Sequence, residues 1–130
     1  MDLDTPVMPP VDTEALNARM LDAIRRMGVD PNALLPRSRI EEAAEAFVSR
    51  DADTARQIVR RVAPAAVRSV SRRVLSDPGL KADAEAYVRT WSRILNDHAT
   101  SGDGPAVLNR LASDGGRAFL LLDAAVGDLS

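Results

Sequence analysis

Cysteine is missing from all 130 residues. That excludes disulfides, zinc–thiolate sites, iron–sulfur clusters and cysteine nucleophiles in one step, and it suits a reducing compartment. Histidine occurs once, as His98, which leaves too few soft ligands for a histidine-based metal site. Aromatic residues are scarce: Phe47, Tyr87, Trp91 and Phe119 make up 3% of the chain. Any core must therefore be built from Leu, Val, Ile, Met and Ala, and alanine is the best helix former. The longest apolar run, Ala118 to Val126, spans nine residues and contains Asp123, far short of the roughly 20 needed to cross a bilayer. No positively charged segment and apolar stretch of the signal-peptide kind stand near Met1, so the expected location is the cytoplasm, with no membrane partner.

Lysine is almost absent as well. Sixteen arginines face the single Lys81. A GC-rich coding sequence explains the preference for arginine but not its clustering. Residues 54–75 hold six arginines and no acid. Subtracting those six charges from the net −2 leaves −8 for the rest of the chain, so the charge is strongly segregated.

The periodicity predicts an all-α fold: a compact single-domain bundle of about six or seven short helices with no sheet. Residues 1–12, with Pro6, Pro9 and Pro10, read as a flexible arm, and 13–130 as one helical domain. Thr13 is placed to cap a first helix over 14–27 carrying Leu16, Met20, Ile24 and Met27 on one face; Gly28 ends it. Asp30-Pro31 starts a short turn. Ser38 and Glu41 have capping-box spacing for a helix over 39–50. Asp51 and Asp53 precede helices over 54–62 and 65–75, divided by Pro64. Asp77-Pro78 opens the longest helix, 78–97. Pro105 opens a short one, and Asp114-Gly115-Gly116 caps a last helix bearing Phe119, Leu121, Leu122, Ala125 and Val126.

Two internal similarities stand out. Ile40 to Val48 resembles Leu80 to Val88 forty residues on, a spacing found in helical repeats, although two copies fall short of a repeat array. More tightly, Ala55-Arg56-Gln57-Ile58-Val59-Arg60-Arg61-Val62 matches Val67-Arg68-Ser69-Val70-Ser71-Arg72-Arg73-Val74 at an offset of twelve. In an unbroken helix the second copy would be rotated by about 120° against the first. Pro64 relieves that mismatch.

Three uses of this arginine segment are open. Its side chains can be solvated stems covering apolar neighbours, with heads paired to Glu41, Glu42, Glu45, Asp83 or Glu85. They can contact an acidic protein partner or a second copy of the chain. They can also bind nucleic acid. Residues 56–75 loosely resemble a helix-turn-helix unit broken at Ala63-Pro64, which implies a recognition helix over 65–75 presenting Arg68, Arg72 and Arg73, with Ser69 and Ser71 beside them. The turn lacks the usual glycine and reads one residue too long.

No catalytic constellation can be assembled. His98 sits beside Asp97 at a helix end, where a histidine interacts favourably with the helix dipole. Glu41, Glu42 and Glu45 are spaced for a hard cation but match a solvated helix face equally well. Trp91 and Tyr87, four apart, read as core, or as one wall of a peptide groove. The glycine pairs near Asp103 and Asp114 lack the strand context of phosphate loops. The expectation is a non-enzymatic interaction or regulatory protein that needs no cofactor and has no evident small-molecule substrate. It binds a macromolecule through Arg56, Arg60, Arg61, Arg68, Arg72 and Arg73; a protein partner or self-association is favoured over nucleic acid.

Overall fold

The computed structural model describes residues 13–127. The arm expected over 1–12 lies outside the described residues. Every described element is helical, and there are eight: α1 Thr13–Arg26, α2 Pro31–Leu34, α3 Arg37–Val48, α4 Ala52–Val62, α5 Pro64–Ser76, α6 Pro78–Thr100, α7 Gly104–Ala112 and α8 Asp114–Val126. The all-α expectation holds, and the extra helix over the expected six or seven is the single turn α2.

Most starts follow the sequence signals. Asp30, Asp51, Asp77 and Asp103 each accept a backbone N–H in the first turn of the helix they precede, satisfying donors that have no partner within the helix. Two starts differ. Helix α3 begins at Arg37 with Pro36 as its cap and no side-chain cap bond, so Ser38 and Glu41 do not form the expected capping box. Helix α8 is capped by Ser113, whose Oγ accepts the Gly116 N–H at 3.0 Å, one residue earlier than Asp114. The α3 end is also unusual. Arg50 takes φ +61°, while the Asp51 N–H reaches back to the Ala46 carbonyl at 2.8 Å. This is the closing geometry that glycine normally provides.

The last helix is the hub. From Ala118 to Val126 every residue of α8 is buried. A helix apolar on all sides must be surrounded, and α8 packs against α1, α2, α4, α5, α6 and α7, while Phe119 meets Phe47 of α3 at 5.7 Å between ring centroids. Close approach at its start depends on two glycines. A Cβ on Gly116 would stand 2.0 Å from the Arg110 carbonyl oxygen of α7, and one on Gly115 would stand 2.8 Å from the Trp91 ring of α6. Trp91 in turn stacks on Phe119 and donates Nε1–H to Asn17 Oδ1. Tyr87 donates its hydroxyl to the Gly115 carbonyl at 2.7 Å, and burial pushes that phenol far above its ordinary pKa. Both rings are core residues. The buried apolar side chains of the seven longer helices form one cluster that includes α8.

Among the described residues, no helix is long and apolar enough to cross a membrane.

Candidate functional site: an arginine-rimmed groove on α4, α5 and α8

Helices α4 and α5 are joined by one residue, Ala63, which ends the first and caps the second. Both pack on α8, but they turn different faces to it. In α4 the buried positions are Ala55 and Val59. In α5 they are Val67, Val70 and Val74. The repeated element therefore sits in two rotational settings, because the fifth position is Val59 in one copy and the half-buried Ser71 in the other. That shift decides where the arginines go.

In the first copy, Arg56 and Arg60 point at the end of α8. Arg56 Nε lies 3.1 Å from Asp123 Oδ2, and its Nη1 lies 3.3 Å from Asp53 Oδ1. Gly127 leaves room for this pair, since a Cβ there would fall 2.6 Å from Arg56 Nε. Arg60 donates from both Nε (3.1 Å) and Nη2 (2.9 Å) to the Ala124 carbonyl. That carbonyl is one of the last four of α8, which lack partners within the helix, and a cation there also suits the helix dipole. In the second copy the equivalent side chains, Arg68 and Arg72, are exposed, as are Arg61 and Arg73. None of these four guanidinium groups meets a carboxylate or other hydrogen-bond acceptor among the described residues.

The acids expected as internal partners are engaged elsewhere or stand apart from the segment. Glu41 pairs with Arg37, Glu42 with Arg39 and Asp83 with Arg19. Glu45 and Glu85 make no ion pair with the segment. Asp123 was not singled out by the sequence pattern. Its signal was available, as the one acid inside the apolar run of α8.

Between α5 and the end of α8 lies an open groove of about 520 Å³. Val67, Ala124 and Ala125 form its floor, and Leu75 forms one apolar wall, itself 56% exposed. Arg60, Arg68 and Arg72 stand around it, and among the described residues no acid lines it. Arg68, Arg72 and Leu75 follow one another at four and three residues, so they share a face of α5. Leu75 was also missed, being the last apolar residue of a helix whose other valines face inward.

The other candidates stand apart from this surface. His98 is half-buried in the last turn of α6 and lines a separate groove with Trp91, Asn109 and Arg110. Among the described residues, no three His, Asp or Glu side chains converge as a metal site would require.

What fold and groove define is a class: an all-helical protein built around a buried central helix, with an arginine-rimmed apolar groove at that helix's end. Comparison with known proteins finds no matching family model, no matching curated sequence and no matching solved structure.

Proposed function

We propose that this chain is a non-enzymatic interaction protein that binds a protein partner through the α4–α5 surface. The observation that carries the reading is the placement of Arg68 and Arg72: exposed, without carboxylate partners among the described residues, and set beside an open apolar groove that ends in Leu75. Exposed cations beside desolvatable apolar area match the anatomy of a protein interface, where arginine is enriched and an apolar centre is ringed by polar groups. A surface devoted to phosphates needs the cations but not the apolar floor. The α4–α5 joint adds support. A helix-turn-helix connects its helices through a turn of 3–4 residues, whereas Ala63 alone separates these two.

The roles within the segment divide accordingly. Arg68 and Arg72 face the partner, whereas Arg61 and Arg73 line separate clefts, beside Glu45 of α3 and beside Asp22 of α1. Arg56 and Arg60 hold the end of α8 that forms the groove's floor.

A photoreactive amino acid at the position of Leu75, introduced into the chain in its own cells, tests this. The expected result is a protein adduct that disappears when Arg68→Glu and Arg72→Glu are added, with helicity unchanged. An adduct with nucleic acid establishes the alternative reading, and the absence of any adduct overturns both.

A further inference from the structure

We infer that the occupant of the groove is an acidic amphipathic helix belonging to a different protein, and not a second copy of this chain. The inference rests on the protein-binding reading above and names the partner's chemistry.

The shape of the groove argues for a helix. Its floor is Val67 with the methyl groups of Ala124 and Ala125. Side chains this small let another helix approach at the short end of the 8–10 Å range of interaxial distances. The α5 backbone forms one side, and Leu75 gives the incoming apolar face something to close upon. A helix lying along α5 runs past Arg68 and Arg72, which are one turn, about 6 Å, apart along the axis. Carboxylates four residues apart on the incoming helix have the same spacing. Each arginine offers a fork of donors suited to a carboxylate. This is the helix-in-groove mode of recognition, with apolar anchors at helical spacing and charges flanking them.

The charge pattern argues against self-association. Closing two copies about a two-fold axis would set this face against itself, bringing Arg68 and Arg72 toward the same residues of the other copy. Like charges so placed oppose association. A head-to-tail arrangement would need an acidic apolar face elsewhere on the chain. Among the described residues, Glu41, Glu42 and Asp83 are engaged with Arg37, Arg39 and Arg19, which leaves Glu45 beside the exposed Val48 of α3, one carboxylate where Arg68 and Arg72 call for two.

The test is a displayed library of helical peptides about four turns long, selected on the full-length chain. Anchor positions vary between apolar and polar residues, and flanking positions vary between Glu, Gln and Arg. The enriched peptides are then measured side by side on the wild type and on the Leu75→Asp variant. Leu75, Arg68 and Arg72 are exposed, so the variants keep the fold, and circular dichroism verifies it. Enriched peptides should carry apolar residues along one face and Glu at the flanks. Their affinity should fall at least about tenfold in Leu75→Asp and in Arg68→Ala with Arg72→Ala, a loss on the scale of one hot-spot contact. Their binding should shift the NMR signals of Val67, Leu75, Ala124 and Ala125.

Enrichment of Glu without an apolar pattern, indifferent to Leu75→Asp, overturns the helix-in-groove inference while leaving an arginine-mediated protein contact standing. A wild-type dimer abolished by Leu75→Asp overturns it in favour of a second copy. No enrichment, together with salt-sensitive binding to duplex DNA, overturns both this inference and the reading beneath it.

Discussion

Arg56 Nε and Asp123 Oδ2 lie 3.1 Å apart, joining α4 to the end of α8 across 67 residues of sequence. Asp123 is 2% exposed and is the buried charged residue among those described. A carboxylate in that position is tolerable only with a cation beside it. The pair thus explains two things together: why an acid survives in the most apolar run of the chain, and why one arginine of the cluster points inward.

Removing one partner from a buried pair costs more than removing both. Arg56→Ala should lower stability by about 3 kcal/mol in urea unfolding, because the buried Asp123 is left without the Arg56 cation. Replacing both, as Arg56→Met with Asp123→Leu, should recover most of that loss. Equal losses in the single and double variants would show that the pair's geometry, and not its charge balance, holds α8 in place.

The glycines at the start of α8 separate two kinds of close contact. A Cβ on Gly116 meets backbone of α7, which cannot move without moving a helix. A Cβ on Gly115 meets the Trp91 and Tyr87 side chains, which can adjust by tilting. Gly116→Ala should therefore destabilise by about 3 kcal/mol or more, and Gly115→Ala by about 1–2 kcal/mol, in the manner of overpacked cores. Thermal denaturation of the two variants side by side checks the order. Gly115→Ala being the worse would place the rigid contact on α6.

Much of the fold was legible because short helices announce their ends. Asp30-Pro31, Asp51, Asp77-Pro78 and Pro105 all mark real starts, and the Leu16, Met20 and Ile24 stripe of α1 is buried as its spacing requires. The central role of α8 was hidden. Periodicity reports one apolar face, and a helix buried on all sides has no period to report. The arginine segment was legible as a repeated element but not as two settings of it. Which face of each copy turns inward follows from Val59 against Ser71 in the packed structure, and that depends on where α8 lies. Arg50 illustrates another limit: nothing in its identity signals a left-handed conformation that usually belongs to glycine.

Asp51 should give the chain a pH dependence of known sign. Its carboxylate accepts from the Thr54 hydroxyl at 2.6 Å and from the Thr54 N–H at 3.1 Å, and these bonds hold it below its ordinary value of 3.8. The unfolded chain then takes up the proton first. The carboxylate's contribution is fully present above pH 3.8 and is lost as the pH falls through the lower, folded value. Asp51→Asn keeps a capping side chain but cannot titrate. Wild type should exceed Asp51→Asn in stability near neutrality, and the two denaturation midpoints should converge below pH 3.8. A constant gap across that range would assign the difference to hydrogen-bond geometry.

The most discriminating comparison is between Arg60 and Arg72, which occupy the same place in the two copies of the element. Arg60 makes two hydrogen bonds to the Ala124 carbonyl; Arg72 is exposed with no acceptor among the described residues. Arg60→Ala should cost about 1–2 kcal/mol, since a charged donor leaves a helix-end carbonyl without it. Arg72→Ala should change stability by no more than about 0.5 kcal/mol, as surface substitutions without partners do. Binding should reverse the order of interest: with helical peptides selected on the wild-type chain, Arg72→Ala weakens the complex while the protein stays fully folded. Lys at the same position should restore only part of the affinity, because a point charge replaces a planar fork. Full recovery in Arg72→Lys would mean that the surface recognises charge alone. If Arg72→Ala instead destabilised the fold as much as Arg60→Ala, the second copy would be structural like the first, and the groove would lose the cation on which its partner's carboxylate depends.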